Sequence, residues 1–186
     1  MLEIRKMRVS DIDDMEGICL YTAEERLRDT QKHCENTLYL YNRYYTRAER
    51  ENCFVAVDKN DKAVGYIICA PDFKRYKNGF FKNELKSVFS LGIKYGVSAF
   101  FEVLAQKAVS KEYPAHLHID IMPDYQGGGT GTALIHTLLA HLKEQNIKGI
   151  MLGVAKANEG AIRFYKRNGF TVLSSVGGGV IMVQKL

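Results

Sequence analysis

No uncharged apolar run in this sequence reaches the ~20 residues that a helix needs to cross a bilayer, which excludes a membrane-spanning helix. Cysteine is scarce and scattered. Cys19, Cys34, Cys53 and Cys69 include no C-x-x-C pair, and no histidine stands near them at metal-ligand spacing. A disulfide framework and a zinc site are therefore disfavoured, and reduced, partly buried thiols in a reducing cytoplasm are expected. The opening Met1 to Arg8 alternates as a strand does and has no apolar stretch of the kind a secretory leader carries, so export by that route is not expected. Repeats and low-complexity stretches are absent too. Charge of one sign is not concentrated: the net charge is +5, but basic and acidic residues intermix along the chain. The densest basic cluster is Lys74, Arg75, Lys77, Lys82 and Lys86, interleaved with Phe73, Tyr76, Phe80 and Phe81. That pattern suits single-stranded nucleic acid, a lid, or a solvated helix face, and the last two are favoured, so no nucleic-acid partner is expected.

What the chain does have is glycine in one place. Gln126-Gly127-Gly128-Gly129-Thr130-Gly131 lies between an apolar strand pattern ending near Pro123 and a helix pattern beginning near Thr132. Glycines allow positive φ and let a ligand approach several backbone N–H groups, while a helix start adds unpaired donors and the positive end of its dipole. The implied ligand is phosphorylated. Two familiar phosphate loops fail here. A P-loop needs Lys then Ser/Thr after its last glycine, where this chain has Thr132 and Ala133; ATP hydrolysis is disfavoured. A dinucleotide fingerprint needs G-x-G-x-x-G and an acidic residue ending the next strand, which here ends Gly153-Val154-Ala155.

The loop in its setting resembles the acetyl-CoA motif of the GNAT (GCN5-related N-acetyltransferase) superfamily, Q/R-x-x-G-x-G/A, through Gln126, Gly129 and Gly131. A second segment, Asn158 to Phe170, is similar to the family's N-x-x-A-x-x-x-Y-x-x-x-G-F. The resemblance covers most of the chain, from the strand at Leu2 to a closing hairpin around Gly177-Gly178-Gly179, and is weakest between Pro71 and Tyr113. Within the superfamily, Tyr113 to Ile121 most resembles the acetyltransferase-like domain of protein O-GlcNAcase. The implied fold is one α/β domain of 186 residues with a mixed, mostly antiparallel sheet flanked by helices on both faces. A helical insertion at about 71–114 precedes the cofactor-binding strand.

Local patterns supply the elements. Ser10 is a plausible N-cap with Asp13 as the third-position acid of a helix running to about Arg28. A second helix is expected from Tyr39 to Glu49, then a hairpin of Cys53–Val57 and Ala63–Cys69. Short helices interrupted by Gly92 and Gly96 fill the insertion. Strand His116–Met122, helix Thr132–Gln145, strand Ile150–Val154, helix Gly160–Arg167 and a hairpin Thr171–Gln184 follow.

The resemblance implies direct attack of an amine on acetyl-CoA within a ternary complex, needing position, oxyanion stabilisation, a base and an acid. Backbone N–H groups of Gly127, Gly128, Gly129, Thr130 and Gly131, with Thr132, are implied to hold the pyrophosphate, and Ile119, Asp120 and Ile121 to pair with the pantetheine arm and leave an N–H at the thioester. Asn158 would bond the pantetheine or cap its helix. Tyr165 falls where the family places the phenol that protonates the leaving thiolate; a packed core ring is its bland reading. The family's glutamate base is matched by Gly153, so Asp120 or His118 is the candidate base, with His116, His118 and Asp120 on one face of a regular strand. No metal is required. The acceptor is an amine, on a small molecule or a peptide, bordered by Tyr39, Tyr41, Tyr44, Tyr45 and the insertion. A non-catalytic acyl-CoA-binding module is the alternative, and a homodimer stays open.

Overall fold

β3, Ala63–Ala70, is buried along its whole length, as a central strand covered on both faces must be. Its neighbours follow from the register. In this computed structural model, which describes residues 2–176 and 178–186, seven strands form one sheet in the order β1-β2-β3-β4-β5-β7-β6. They are β1 Glu3–Lys6, β2 Cys53–Val57, β3, β4 Ala115–Ile121, β5 Gly149–Ala155, β6 Thr171–Val176 and β7 Gly179–Lys185. All pairs are antiparallel except β4 with β5. Period-two alternation sends Ile67, Cys69, Leu117 and Leu152 to one face and Tyr66, Ile68, Ala70 and Met151 to the other, producing two cores.

The first core packs under α7 (Thr130–Glu144) and α8 (Glu159–Arg167), through residues such as Leu134, Leu138 and Tyr165. The second is covered by α1 (Ile12–Thr22), α2 (Gln31–Leu38), α3 (Tyr44–Ala48) and the insertion helices α4 (Phe73–Asn83), α5 (Leu85–Leu91) and α6 (Ile93–Ala105). α4 turns Phe73, Tyr76 and Phe80 inward, at 3%, 3% and 0% exposure. Those rings are therefore unable to stack on bases, and the interleaved basic residues belong to the outer face of an amphipathic helix. Gly92, at φ 153°, separates α5 from α6, whereas Gly96 lies inside α6, where a Cβ would meet the Phe89 ring at 2.2 Å.

Three local expectations need correction. Ser10 does not cap α1: Asp11 stands at that boundary, accepting from the Arg8 N–H at 2.6 Å and from both terminal nitrogens of the Arg5 guanidinium. α1 stops at Thr22 rather than Arg28, because the chain turns extended at Ala23. The second helix begins at Gln31, where Thr30 accepts the His33 N–H, and continues to Ala48 through a π turn at Tyr39–Arg43. Such a turn inserts an extra residue into the helix and re-aims the side chains around it. The turn expected around Gly177 falls outside the described residues.

Candidate active site

β4 and β5 pair only at Ala115–Ile150 and His116–Met151, then part. Past that point β4 remains bonded to β3 through an unbroken register from His116–Ala70 to Ile121–Gly65. The Met122 N–H bonds the Val64 carbonyl, and antiparallel alternation assigns the amides of Asp120 and His118 to the same side. The N–H groups of Ile119 and Ile121 consequently face the opening where β5 has left. An extended ligand can add itself there as a strand. The Asp120 amide is directed to β3 and is not among the N–H groups that face the opening.

The opening leads into a cavity of about 560 Å³ lined by Ile119, Asp120, Ile121, Gln126, Gly127, Gly129, Gly131, Thr132, Asn158 and Tyr165, together with Thr22, Gly160, Ala161, Phe164 and Arg167. Gly127 and Gly129 have φ of 81° and 85°, a region where side chains are strained, and Gly129 is the N-cap of α7. That left-handed cap starts the helix at Thr130, two residues before the sequence pattern suggests. A Cβ added at Gly127, Gly128 or Gly129 would meet nothing within 4 Å, so the loop leaves its amides approachable. Gly131 has another reason: a Cβ there would lie 3.0 Å from the Phe164 ring. Gln126 turns its amide back onto the Ile121 carbonyl at 2.7 Å, tying the loop to the end of β4. A pyrophosphate fits a cradle of this kind without further groups. Asn158 caps α8 by accepting the Ala161 N–H at 3.0 Å, and its amide N–H₂ has no partner among the described residues.

Regular pairing settles the faces of β4: His116, His118 and Asp120 share one, without a bulge. Asp120 accepts from Tyr66 at 2.5 Å and lies 3.1 Å from the Thr22 hydroxyl. Thr22 also lies 2.9 Å from the Ile18 carbonyl and 3.3 Å from that of Cys19, so its single proton has three acceptors within reach. Burial raises the Asp120 pKa, and the hydrogen bonds from Tyr66 and Thr22 oppose that only in part. His118 goes the other way. Burial alone lowers its pKa to about 4. Burial thus disfavours the charged form at both candidate bases, raising the carboxyl and lowering the imidazole. His116 is 2% exposed, bonds Tyr45 and is structural.

Tyr165 is 8% exposed, packs on Phe164 and Phe170, and still lines the cavity. Burial first, and then the Asp120 charge, raise its pKa, so the phenol keeps its proton. The ring is thus packed in the core and also borders the cavity. Gly153 stands exposed on β5 with open space beside it and carries no acid. Thr22, Tyr66, Phe164 and Arg167 escaped sequence reasoning. Only Phe164 and Arg167 had a signal, the i, i+3, i+6 spacing from Ala161 on one side of α8.

The glycine loop, the parted strands β4 and β5 and the Asp120 carboxylate border one cavity. The chain belongs to the acetyltransferase (GNAT) family, whose model matches residues 19–170. An uncharacterized N-acetyltransferase of Methanocaldococcus jannaschii is 38% identical over 79 residues, 42% of this chain and 35% of the relative. The chain thus spans about a third or less of the length of the curated relatives it matches. Among solved structures, SsHAT superposes with a TM-score of 0.87 at 26% identity, covering 98% of this chain and 97% of the other. A PaiA N-acetyltransferase from Thermoplasma acidophilum, solved with coenzyme A, shares the fold with a TM-score of 0.63 at 16% identity over 100% and 99% of the chains.

Proposed function

We propose that the protein is an acetyl-CoA-dependent N-acetyltransferase that joins an acetyl group to an amine in a ternary complex. The observation that carries this reading is the deep Asp120 carboxylate with a raised pKa, sharing one cavity with the glycine cradle and the Tyr165 phenol. Acetyl-CoA would supply the activated acetyl thioester. The amides of Gly127 to Gly131 and of Thr132 hold the pyrophosphate, and the N–H groups of Ile119 and Ile121 pair with the pantetheine arm and offer the oxyanion donor. Asn158 adds its free amide N–H₂ to the same arm. Arg167 contributes positive charge at the rim.

Asp120 takes the proton that the amine nitrogen loses, as its raised pKa suits. Thr22 accommodates the new proton by turning its own toward the Ile18 carbonyl. Tyr165 holds its proton until the departing sulfur needs one. A module that only binds acyl-CoA has no use for an unpaired deep carboxylate, which favours turnover. The narrower likeness of Tyr113 to Ile121 to the O-GlcNAcase acetyltransferase-like domain involves the strand that carries Asp120. A cytoplasmic setting suits four free cysteines.

The test is thiol release from acetyl-CoA with a panel of primary amines across pH. The wild-type kcat/KM should rise with pH through an ionisation above the ordinary carboxylate range. Asp120→Asn should abolish that limb and slow turnover on the order of 10²-fold, while Tyr165→Phe should slow it at unchanged acetyl-CoA affinity. Absence of thiol release with every amine would contradict the reading.

A further inference from the structure

The chain's surplus of positive charge is confined to the helical insertion. Residues 73–111 hold eight of the 26 Lys and Arg but only two of the 21 Asp and Glu, so this segment carries +6 and the rest of the chain −1. Both of its acids are withdrawn from the surface. Glu84 is buried, 3.4 Å from Arg47, and the half-buried Glu102 accepts the Tyr41 hydroxyl at 2.7 Å. Every exposed charged residue between 73 and 111 is therefore basic.

Exposed apolar side chains gather in the same segment. Of nine large hydrophobic residues exposed among the described residues, five fall between Phe89 and Phe101, so they form a patch where single exposed residues would be ordinary. The patch is continuous across two helices. The Phe89 ring of α5 lies over Gly96 of α6, where any Cβ would collide with it, and so comes beside Val97. Spacing of i, i+4, i+8 aligns Ile93, Val97 and Phe101 on one side of α6, and Phe100 joins Phe101 at 5.7 Å and Phe81 at 5.2 Å between ring centroids. Exposed lysines are set among these side chains: Lys86 is one turn before Phe89, Lys94 is two turns before Phe101, and Lys107 follows in the turn after α6.

Charge and shape together select the occupant of this face. A second copy seated on it symmetrically would set lysine against lysine. Single-stranded nucleic acid would answer the charge, but it binds by stacking on rings, and the aliphatic Ile93 and Val97 share this face. Ile93 is 77% and Phe101 65% exposed, so the side chains stand out as knobs, whereas a peptide anchor needs a groove. Protruding apolar groups set among lysines match the boundary of an anionic bilayer, where the apolar groups sink below the headgroups and the ammonium groups stay level with the phosphates. We propose that the α5–α6 face docks the protein on an anionic membrane surface, with Ile93, Val97 and Phe101 entering the acyl boundary and Lys86, Lys94 and Lys107 meeting the lipid phosphates. This docking is independent of what the cavity beside Asp120 binds.

Co-sedimentation of the full chain with phosphatidylcholine vesicles, and with vesicles containing about a third phosphatidylglycerol, tests this. Binding to the anionic vesicles is expected to be at least tenfold tighter and to weaken as salt rises. The double variant Ile93→Ser with Phe101→Ser keeps every charge and should weaken that binding tenfold or more. Lys86→Gln with Lys94→Gln keeps the apolar patch and should remove most of the preference for anionic vesicles. All four side chains are exposed, so both variants should melt with the wild type. A wild type that stays in solution with anionic vesicles would overturn the proposal, as would undiminished binding by the Ile93 and Phe101 variant, which would mark a general attraction of a basic protein. Self-association in the ultracentrifuge that Phe101→Ser abolishes, without vesicle binding, would overturn it in favour of a contact between copies. Binding of a single-stranded oligonucleotide that Phe101→Ser abolishes, again without vesicle binding, would overturn it in favour of nucleic acid.

Discussion

His118 and Asp120 are two residues apart on one strand, both taken from water, and burial moves them in opposite chemical senses. For each it disfavours the charged form, which leaves the histidine without a proton and the carboxyl inclined to take one. The histidine consequence is a stability effect with a definite sign. Its folded pKa, about 4, lies below the ordinary 6.5, so the unfolded chain binds more protons between those values. Stability is full above about pH 6.5 and is lost as the pH falls toward 4, with His118 contributing on the order of 3 kcal/mol. Urea unfolding at pH 7 and pH 4.5 should therefore show a fall that is smaller in His118→Gln. An unchanged fall in that variant would assign the effect to other groups, His116 among them. Asp120 was legible in the sequence because strand alternation exposes it with the histidines. Its partners were not: Thr22 and Tyr66 are 98 and 54 residues away, the one brought in by the packing of α1 over β3 and β4 and the other by the β3–β4 register.

At the scale of elements, the site depends on where β4 and β5 stop pairing and on two helix starts. The glycine run announced the first start, and its positive-φ caps explain why the helix begins earlier than apolar periodicity suggests. Asn158 marks the second, and it offers a separable test because capping uses its oxygen and ligand binding its nitrogen. Asn158→Asp should keep the cap and the melting temperature while weakening acetyl-CoA about tenfold. Asn158→Ala should weaken acetyl-CoA equally and also cost about 1 kcal/mol of stability. If Asn158→Asp binds acetyl-CoA normally, the residue is a cap and nothing more. The strand split and the π turn at Tyr39–Arg43 left no mark in the sequence, because both arise from how segments distant in sequence pack rather than from local residue preference.

Across the whole molecule, the sheet separates two tasks. The core under α7 and α8 secures the glycine loop and Tyr165, and the core under α1 to α6 surrounds Asp120, the tyrosines and Glu102. The layered α/β class was legible because strand and helix periods alternate along the chain and two linked motifs fix their order. The insertion was legible as helical but not in its role, since periodicity shows that a residue faces inward without showing what it meets there. The interior tyrosines illustrate this: Tyr44 and Tyr45 complete the core, while Tyr41, from the same helical stretch, donates its hydroxyl to Glu102 of the insertion. The central claim is that the opening between β4 and β5 is an acetyl-CoA site governed by the glycine loop. Calorimetric titration with acetyl-CoA of the wild type and of Gly129→Glu and Gly131→Glu tests it most directly. Saturable binding by the wild type, lost in both variants while each stays folded, is the predicted result; no wild-type binding at millimolar acetyl-CoA, or undiminished binding in the folded variants, would contradict the account.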